Sequence, residues 1–308
     1  GMSNATEGRP PVSPRYWLSW LAVGVMWLIG KMPRRIGLWL TAPIGWLAFL
    51  LATRRRRIAQ RNIERCFPDL SENQHEAMLR AHFRSLARML FEVCWCWSGS
   101  GSRVLGWARH EGLEHFEAAL NDERGMMLIT CHVTCLEMGG RIAGSIAPGA
   151  MGVYRPLKNP VIEWYQNRSR KRYVAGSISK HETRKTVRFL RDGGALWYAP
   201  DQDYGAARSE FVPFFGIQTA TLKANVQLAA LSGCLVVPMF PVFDEATRTW
   251  TTHYDPPLEN FPSGDMHEDL ARINRIFEEK IRLAPEQYWW IHRRFKTRPP
   301  GEPPFYEQ

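Results

Sequence analysis

A chain of 308 residues with 45% hydrophobic side chains can bury a sizeable core, either as one large domain or as two small ones. Its 40 Lys and Arg against 30 Asp and Glu give a net charge of +10, which leaves nucleic acid, an anionic membrane or an acidic protein open as partners. The six cysteines exclude a disulfide scaffold, because they stand alone or beside apolar segments. Cys131-His132-x-x-Cys135 lacks the second ligand pair that a metal site needs, so buried thiols and no metal or other cofactor are expected.

Residues 1–15 read as a disordered N-terminus. Gly1-Met2 looks like the remnant of a cleaved tag, and 3–14 are polar and Pro-rich. Residues 16–30 form an apolar run without charge, Lys31-Met32-Pro33-Arg34-Arg35 interrupts it, and 36–52 resume it with Pro43 inside. Neither run reaches the ~20 residues of a full span, although either could cross a membrane or lie in its interface with help from flanking residues. No small-residue cleavage site follows, so a signal peptide is not expected. Trp17, Trp20, Trp27, Trp39 and Trp46 suit a membrane–water boundary, and Arg54-Arg55-Arg56-Arg57 marks a cytoplasmic, anion-attracting flank. Residues 16–57 are therefore expected to be a membrane anchor and its basic flank. A buried helical hairpin is the alternative.

Helices are expected through residues 57–97. One ends at Pro68, and the next is capped by Ser71 and carries Met78, Phe83, Leu86 and Leu90 as its apolar stripe. Ser98-Gly99-Ser100-Gly101-Ser102 reads as a flexible break. Strands and helices then alternate, as in an α/β sheet with helices packed on it. Strands are expected at 126–130, 150–154 and 195–199, with a short strand or loop at 211–215. Helices are expected from near Thr134, at 160–173, 181–191 and 219–231, and as a long one at 266–283. Paired strands fall at 235–243 and 249–254.

The chemistry centres on His132, in the turn between the first of these strands and its helix. Glu137 lies five residues on. Within one helix such a pair diverges by about 140°, so the two could meet only if His132 lies in the turn and Glu137 in the first helical turn. An imidazole held by a carboxylate can take a proton from an alcohol, the first requirement of acyl transfer to a hydroxyl. Thr134-x-x-Glu137 equally fits a capping box. Arg155 and Asp201 follow two other strands, and ligand groups gather at strand ends in open α/β sheets. Arg155 and Asp201 could also simply pair with each other.

These elements resemble the lysophospholipid-type acyltransferases, and within them the late acyltransferases of lipid A biosynthesis, the lauroyl/myristoyl transferase family. The family's H-x4-D/E motif stands as His132 to Glu137, and Y-R-P as Tyr154-Arg155-Pro156. D-Q-D stands as Asp201-Gln202-Asp203, followed by F-V-P-F-F-G from Phe211. Q-Y-W-W-x-H-R-R-F-K-T-R-P closes the chain from Gln287. The resemblance covers residues 16–304. It implies a glycerol-3-phosphate acyltransferase-like mixed sheet flanked by helices, with an acyltransferase domain at 58–304 and a tail at 305–308. It further implies an inner-membrane enzyme with its catalytic domain on the cytoplasmic side, which moves an acyl group from acyl carrier protein to a hydroxyacyl chain of the lipid A precursor. Many members place Asn-Trp before the acidic residue where this chain has Thr134-Cys135-Leu136.

On that resemblance His132 is expected to be the base and Glu137 its partner, with backbone N–H groups after His132 and Arg155 facing the oxyanion. Arg168 and Arg172, four apart on one helix face, are expected to hold lipid phosphates. Asp201 is expected among the substrate-binding groups. Basic clusters at 168–172 and 293–298 offer themselves to an acidic carrier protein. Four rivals remain, the first an acyltransferase that acts on another glycolipid or a lysophospholipid acceptor. A thioesterase could use Cys131, although neighbouring strand residues point to opposite faces. A non-catalytic lipid-binding protein could share the scaffold. A nucleic-acid-binding protein would fit the charge, but the chain carries no recognisable nucleic-acid motif.

Overall fold

The computed structural model describes residues 8–307. The helices are α1 (Trp17–Gly30), α2 (Arg34–Leu51), α3 (Thr53–Cys66), α4 (Glu72–Ser98) and the short α5 (Gly101–Leu105). The chain continues through β1 (Ala108–Glu111), α6 (Leu113–Leu120), β2 (Met126–Ile129), α7 (Leu136–Ile146) and β3 (Met151–Tyr154). Then come α8 (Pro160–Arg170), β4 (Gly176–Ser179), α9 (Thr183–Arg191), β5 (Ala195–Tyr198), β6 (Ser209–Phe214) and β7 (Ile217–Leu222). It ends with α10 (Ala224–Ser232), β8 (Leu235–Asp244), β9 (Thr249–Tyr254) and α11 (Met266–Ile281).

A seven-stranded sheet runs in the order β1-β9-β8-β2-β5-β3-β4, parallel except for the antiparallel β8–β9 pair. The fold is therefore α/β, with a mixed, mostly parallel sheet flanked by helices. β2 lies between β8 and β5, and all four of its side chains are buried. That is why it reads as an unbroken apolar run rather than an alternating one. Met127 and Ile129 enter a core shared with α3, α11 and Phe295, whereas Met126 and Leu128 enter the core beneath α6 and α7. A third cluster joins Phe91, Trp95 and Trp97 of α4 to Trp107, Phe243 and Trp250.

The strands expected at 126–130, 150–154 and 195–199 are present as β2, β3 and β5. Ser71 caps α4 through a capping box with Gln74, and β8–β9 form the expected pair. The sequence reading misses β1 and β4, both at sheet edges and too polar to announce themselves, and it misses α6. It also misassigns 219–222, expected as the start of a helix, which instead belong to β7 and pair with β6 as a hairpin. Phe215 and Gly216 form the two-residue turn with φ of 51° and 73°, the doubly positive geometry that suits the strand twist. Phe215 tolerates it because its ring packs on Phe67 and Trp290. The Ser/Gly stretch expected to be a flexible break is tied down: Lys31 Nζ donates to the Ser98 carbonyl at 2.7 Å.

α1 and α2 lie across α4, and the buried residues of α2 are Gly37, Thr41 and Gly45, each four apart. A Cβ at Gly37 would sit 2.5 Å from the Trp95 ring, and one at Gly45 2.8 Å from the Arg84 backbone, so this stripe lets α2 lie close on α4. The opposite faces are apolar and bare: Leu18 is 81% exposed, Trp39 77% and Leu51 71%. Among the described residues no single helix is long and apolar enough to cross a membrane. α2 and α3 pass that test only together, bent by 97°. α3 itself turns Ile58, Ala59, Ile63 and Cys66 into the body. Its first turn holds Arg54 to Arg57, at the end of a helix where positive charge is disfavoured.

Candidate active site

β2 and β5 are neighbouring parallel strands, so the turns that follow them open side by side. The first turn carries His132 and the second Asp201. The Asp201 carboxylate accepts the His132 backbone N–H through both oxygens, at 3.0 and 2.9 Å, and meets Nδ1 of the ring at 2.5 Å. Tyr288 donates its hydroxyl to the same carboxylate at 2.9 Å. Burial acts to raise the Asp201 carboxyl, but the His132 ring, its N–H and the Tyr288 hydroxyl together hold it below the usual carboxylate range. With Nδ1 facing a carboxylate, the ring proton belongs on Nδ1 and the lone pair on Nε2. The His132 side chain is 27% exposed while that of Asp201 is 3% exposed, so the imidazole faces outward from a buried anchor.

A strap from the C-terminal region locks this turn. The Gln287 carbonyl accepts from Thr134 N–H at 2.8 Å, and Trp289 N–H donates to the His132 carbonyl at 3.0 Å. Between them Val133 and Tyr288 form an isolated antiparallel bridge. Gln287 is fixed in turn by its side-chain amide, which bonds both the N–H and the C=O of Phe243 at 2.9 Å. The strap therefore sets the register of the His132 turn and brings the Tyr288 hydroxyl to Asp201.

Glu137 is placed differently from the expectation. Its carboxylate receives Arg170 Nε at 3.0 Å and Nη2 at 2.5 Å, the Tyr173 hydroxyl at 2.6 Å and Trp97 Nε1 at 2.8 Å. Among the described residues it makes no hydrogen bond to His132. Burial tends to raise its carboxyl, but Arg170, Tyr173 and Trp97 bring it below the ordinary value. The capping-box alternative is absent as well. α7 is capped at Cys135 without a side-chain bond, and the Thr134 hydroxyl is buried with no partner. The reason is geometric. α7 starts at Leu136, which turns Glu137 toward α8 and α4 rather than back over the His132 turn.

Arg155, after β3, is exposed and makes no hydrogen bond or ion pair among the described residues, so the Arg155–Asp201 pairing does not form. Arg168 is exposed and lies over the Trp164 ring at 5.3 Å. Arg172 differs from expectation. α8 ends at Arg170, and Arg172 donates to the Cys96 and Trp97 carbonyls at 2.7 Å and to Gly99 at 3.3 Å. Orphan carbonyls at the end of α4 claim it, so it and Arg168 are not a matched pair for a phosphate. The basic run at 293–298 also divides. Arg294 is buried and donates to the Ala220 carbonyl, and Arg298 pairs with Glu302, which leaves Arg293 and Lys296 facing a cavity.

All six cysteines are buried free thiols. Burial pushes the Cys131 thiol well up, with Asp201 adding to the effect, which removes the Cys131 nucleophile of the thioesterase rival. Among the described residues no group of His, Cys, Asp and Glu could hold a metal ion. An apolar cleft of about 390 Å³, with Val153, Tyr198, Leu228 and Thr186 in its walls, lies at the carboxyl ends of β3 and β5. Sequence reasoning missed Tyr288, Arg170 and the role of Asp201. All three lie inside stretches it did single out, but only their neighbours in space reveal what they hold.

Residues 10–297 match the family model described as "Bacterial lipid A biosynthesis acyltransferase". The chain is 40% identical over 294 residues to the lipid A biosynthesis palmitoleoyltransferase of Escherichia coli K12, covering 95% of each chain. It is 38% identical to the lauroyltransferase of the same organism, covering 95% of this chain and 96% of that one. Among solved structures it resembles the 1-acyl-sn-glycerophosphate acyltransferase of Thermotoga maritima, with a TM-score of 0.38 and 15% identity over 83% of this chain and 99% of that one, a likeness too loose to carry an argument.

Proposed function

The chain belongs to the bacterial lipid A biosynthesis acyltransferases, and from that premise we propose that His132 is the general base of the transfer and Asp201 the carboxylate that orients it. The enzyme transfers an acyl chain onto a lipid A precursor. In our reading Asp201 keeps the imidazole proton on Nδ1, so Nε2 accepts the proton of the acceptor hydroxyl as that oxygen attacks the thioester carbonyl. The tetrahedral intermediate then collapses, and the departing thiolate recovers the proton from Nε2. No covalent enzyme intermediate is needed. The Glu137 and Met138 N–H groups in the first turn of α7, which have no partner among the described residues, and the Arg155 guanidinium are the donors for the oxyanion in this reading. The exposed Arg168 is available to the anionic acceptor. Glu137 acts by holding Arg170 and Tyr173, which fixes the start of α7 behind His132.

The donor we favour is an acylated carrier protein, because an acidic protein complements a chain of net charge +10. Its acyl chain fits the apolar cleft at the ends of β3 and β5. The bare apolar faces of α1 and α2, with Arg54 to Arg57 beside them, support docking on the cytoplasmic face of the inner membrane. The acceptor hydroxyl in this reading is that of a hydroxyacyl chain. The observation that carries the proposal is the 2.5 Å contact between His132 Nδ1 and a buried carboxylate. Mass spectrometry of lipid A from cells with and without the chain tests it. We expect one additional acyl chain, which His132→Ala removes while the protein stays folded. An unchanged acyl pattern with His132→Ala would refute the assignment.

A further inference from the structure

A second cavity, of about 360 Å³, lies against the site and is lined by Arg55, Asp203, Gly205, His292, Arg293, Lys296 and Thr297. It holds three permanent cations and one carboxylate, and the carboxylate is already occupied. Asp203 accepts Thr297 N–H at 2.7 Å, the Thr297 hydroxyl at 2.8 Å and Gly205 N–H at 2.9 Å. His292 accepts the Asp203 N–H through Nε2 at 3.1 Å, and burial with Arg294 nearby pushes its pKa down to about 4, so it is neutral and adds no charge of its own. The side chains of Arg293 and Lys296 have no hydrogen-bond or ion-pair partner among the described residues. Arg55 spends one nitrogen on the Ile291 carbonyl at 3.1 Å. With the Asp203 charge set against the three cations, the lining keeps two positive charges in excess, which suits an anion, and guanidinium with ammonium suits phosphate oxygens.

The location narrows the source of that phosphate. Arg55 stands in the first turn of α3, four residues beyond Leu51, at the end of the bare apolar face of α2. Asp203 follows Asp201 by two residues, so the opposite wall is continuous with the His132 turn. The cavity thus lies between the basic start of α3 and the loop that follows Asp201, where a headgroup would sit beside both the apolar face of α2 and the His132 turn. We infer that Arg55, Arg293 and Lys296 bind a phosphate monoester on the headgroup of the acceptor lipid. This rests on the acyl-transfer reading for the identity of the lipid, and its test is a binding measurement that needs no turnover.

The test uses the full chain and neutral phosphatidylcholine vesicles doped with the lipid A precursor, either phosphorylated or enzymatically dephosphorylated, with co-sedimentation giving the apparent Kd. Arg293→Gln and Lys296→Gln remove charge from side chains that hold nothing else, so thermal melts should be unchanged. Losing two charge-assisted contacts should weaken binding to the phosphorylated acceptor about 10- to 100-fold and leave binding to the dephosphorylated one within about twofold. Equal weakening on both acceptors, or none, overturns the inference. A coenzyme A thioester and an acyl carrier protein, titrated in parallel, supply the other phosphate source. If their binding weakens and that of the phosphorylated lipid does not, the cavity serves the donor and the inference fails. Because the readout is binding, loss of transfer by His132→Ala in the same preparation would bear on the base and not on this site.

Discussion

Replacing Asp201 with Asn separates orientation of His132 from every other role of the turn. The carboxylate accepts the His132 N–H, contacts Nδ1 and accepts the Tyr288 hydroxyl. An amide has one acceptor oxygen and one donor nitrogen. If its oxygen faces Tyr288, its NH2 faces Nδ1, which must then be the acceptor. The ring proton moves to Nε2, and the base is lost. If the oxygen faces His132 instead, the tautomer survives, because the Tyr288 hydroxyl can accept from the NH2, and only the negative charge beside the forming imidazolium disappears. These two cases bracket a loss of about 10²–10⁴ in kcat/KM. The assay is transfer of a radiolabelled acyl group at several pH values, with melting curves to show that the variant is folded. The melts carry a second signature. The Asp201 carboxyl is held below its ordinary value of 3.8, so its contribution to stability is complete above that value and is lost as pH falls through the lower folded one. Asp201→Asn should flatten that acid limb. Turnover within about fivefold of wild type would refute Asp201 as the orienting group.

Glu137→Gln should act mainly on stability, because it leaves Arg170, 29% exposed, without its charge partner; we expect a loss of about 2–3 kcal/mol in denaturant unfolding. Should it instead abolish transfer in a fully folded protein while Asp201→Asn does not, Glu137 is the partner of the base. Cys131→Ala should keep transfer within about threefold, since the thiol is buried and the base faces elsewhere; loss of all activity without unfolding would revive a thiol nucleophile. Trp39→Gln with Leu51→Gln alters only side chains that stand in the open and should weaken co-sedimentation with anionic vesicles about tenfold or more, with unchanged melting. Unaltered vesicle binding would move membrane contact away from α2. Deleting these helices outright would be a poorer test, because they cover Trp95 and Phe91 on α4.

How much was legible in the sequence follows from where each signal resides. Met126 to Ile129 announced a buried strand because a strand covered on both faces needs apolar side chains throughout, and Ser71 announced a helix start because its partner Gln74 is three residues away. Order along the chain was enough to place His132, Arg155 and Asp201 after strands. β1 and β4 were silent because edge strands are polar, and residues 219–222 were misread because the Phe215-Gly216 turn is stabilised by Phe67 and Trp290, which are distant in sequence. Partner choice was likewise beyond the sequence. Glu137 is five residues from His132 and Asp201 is 69, yet sheet adjacency of β2 and β5 brings the distant carboxylate to the ring, while the start of α7 turns the near one to Arg170. A carboxylate's partner depends on the direction in which its side chain leaves the backbone, and that direction is set by how strands pair and where a helix begins, which is the business of the tertiary structure.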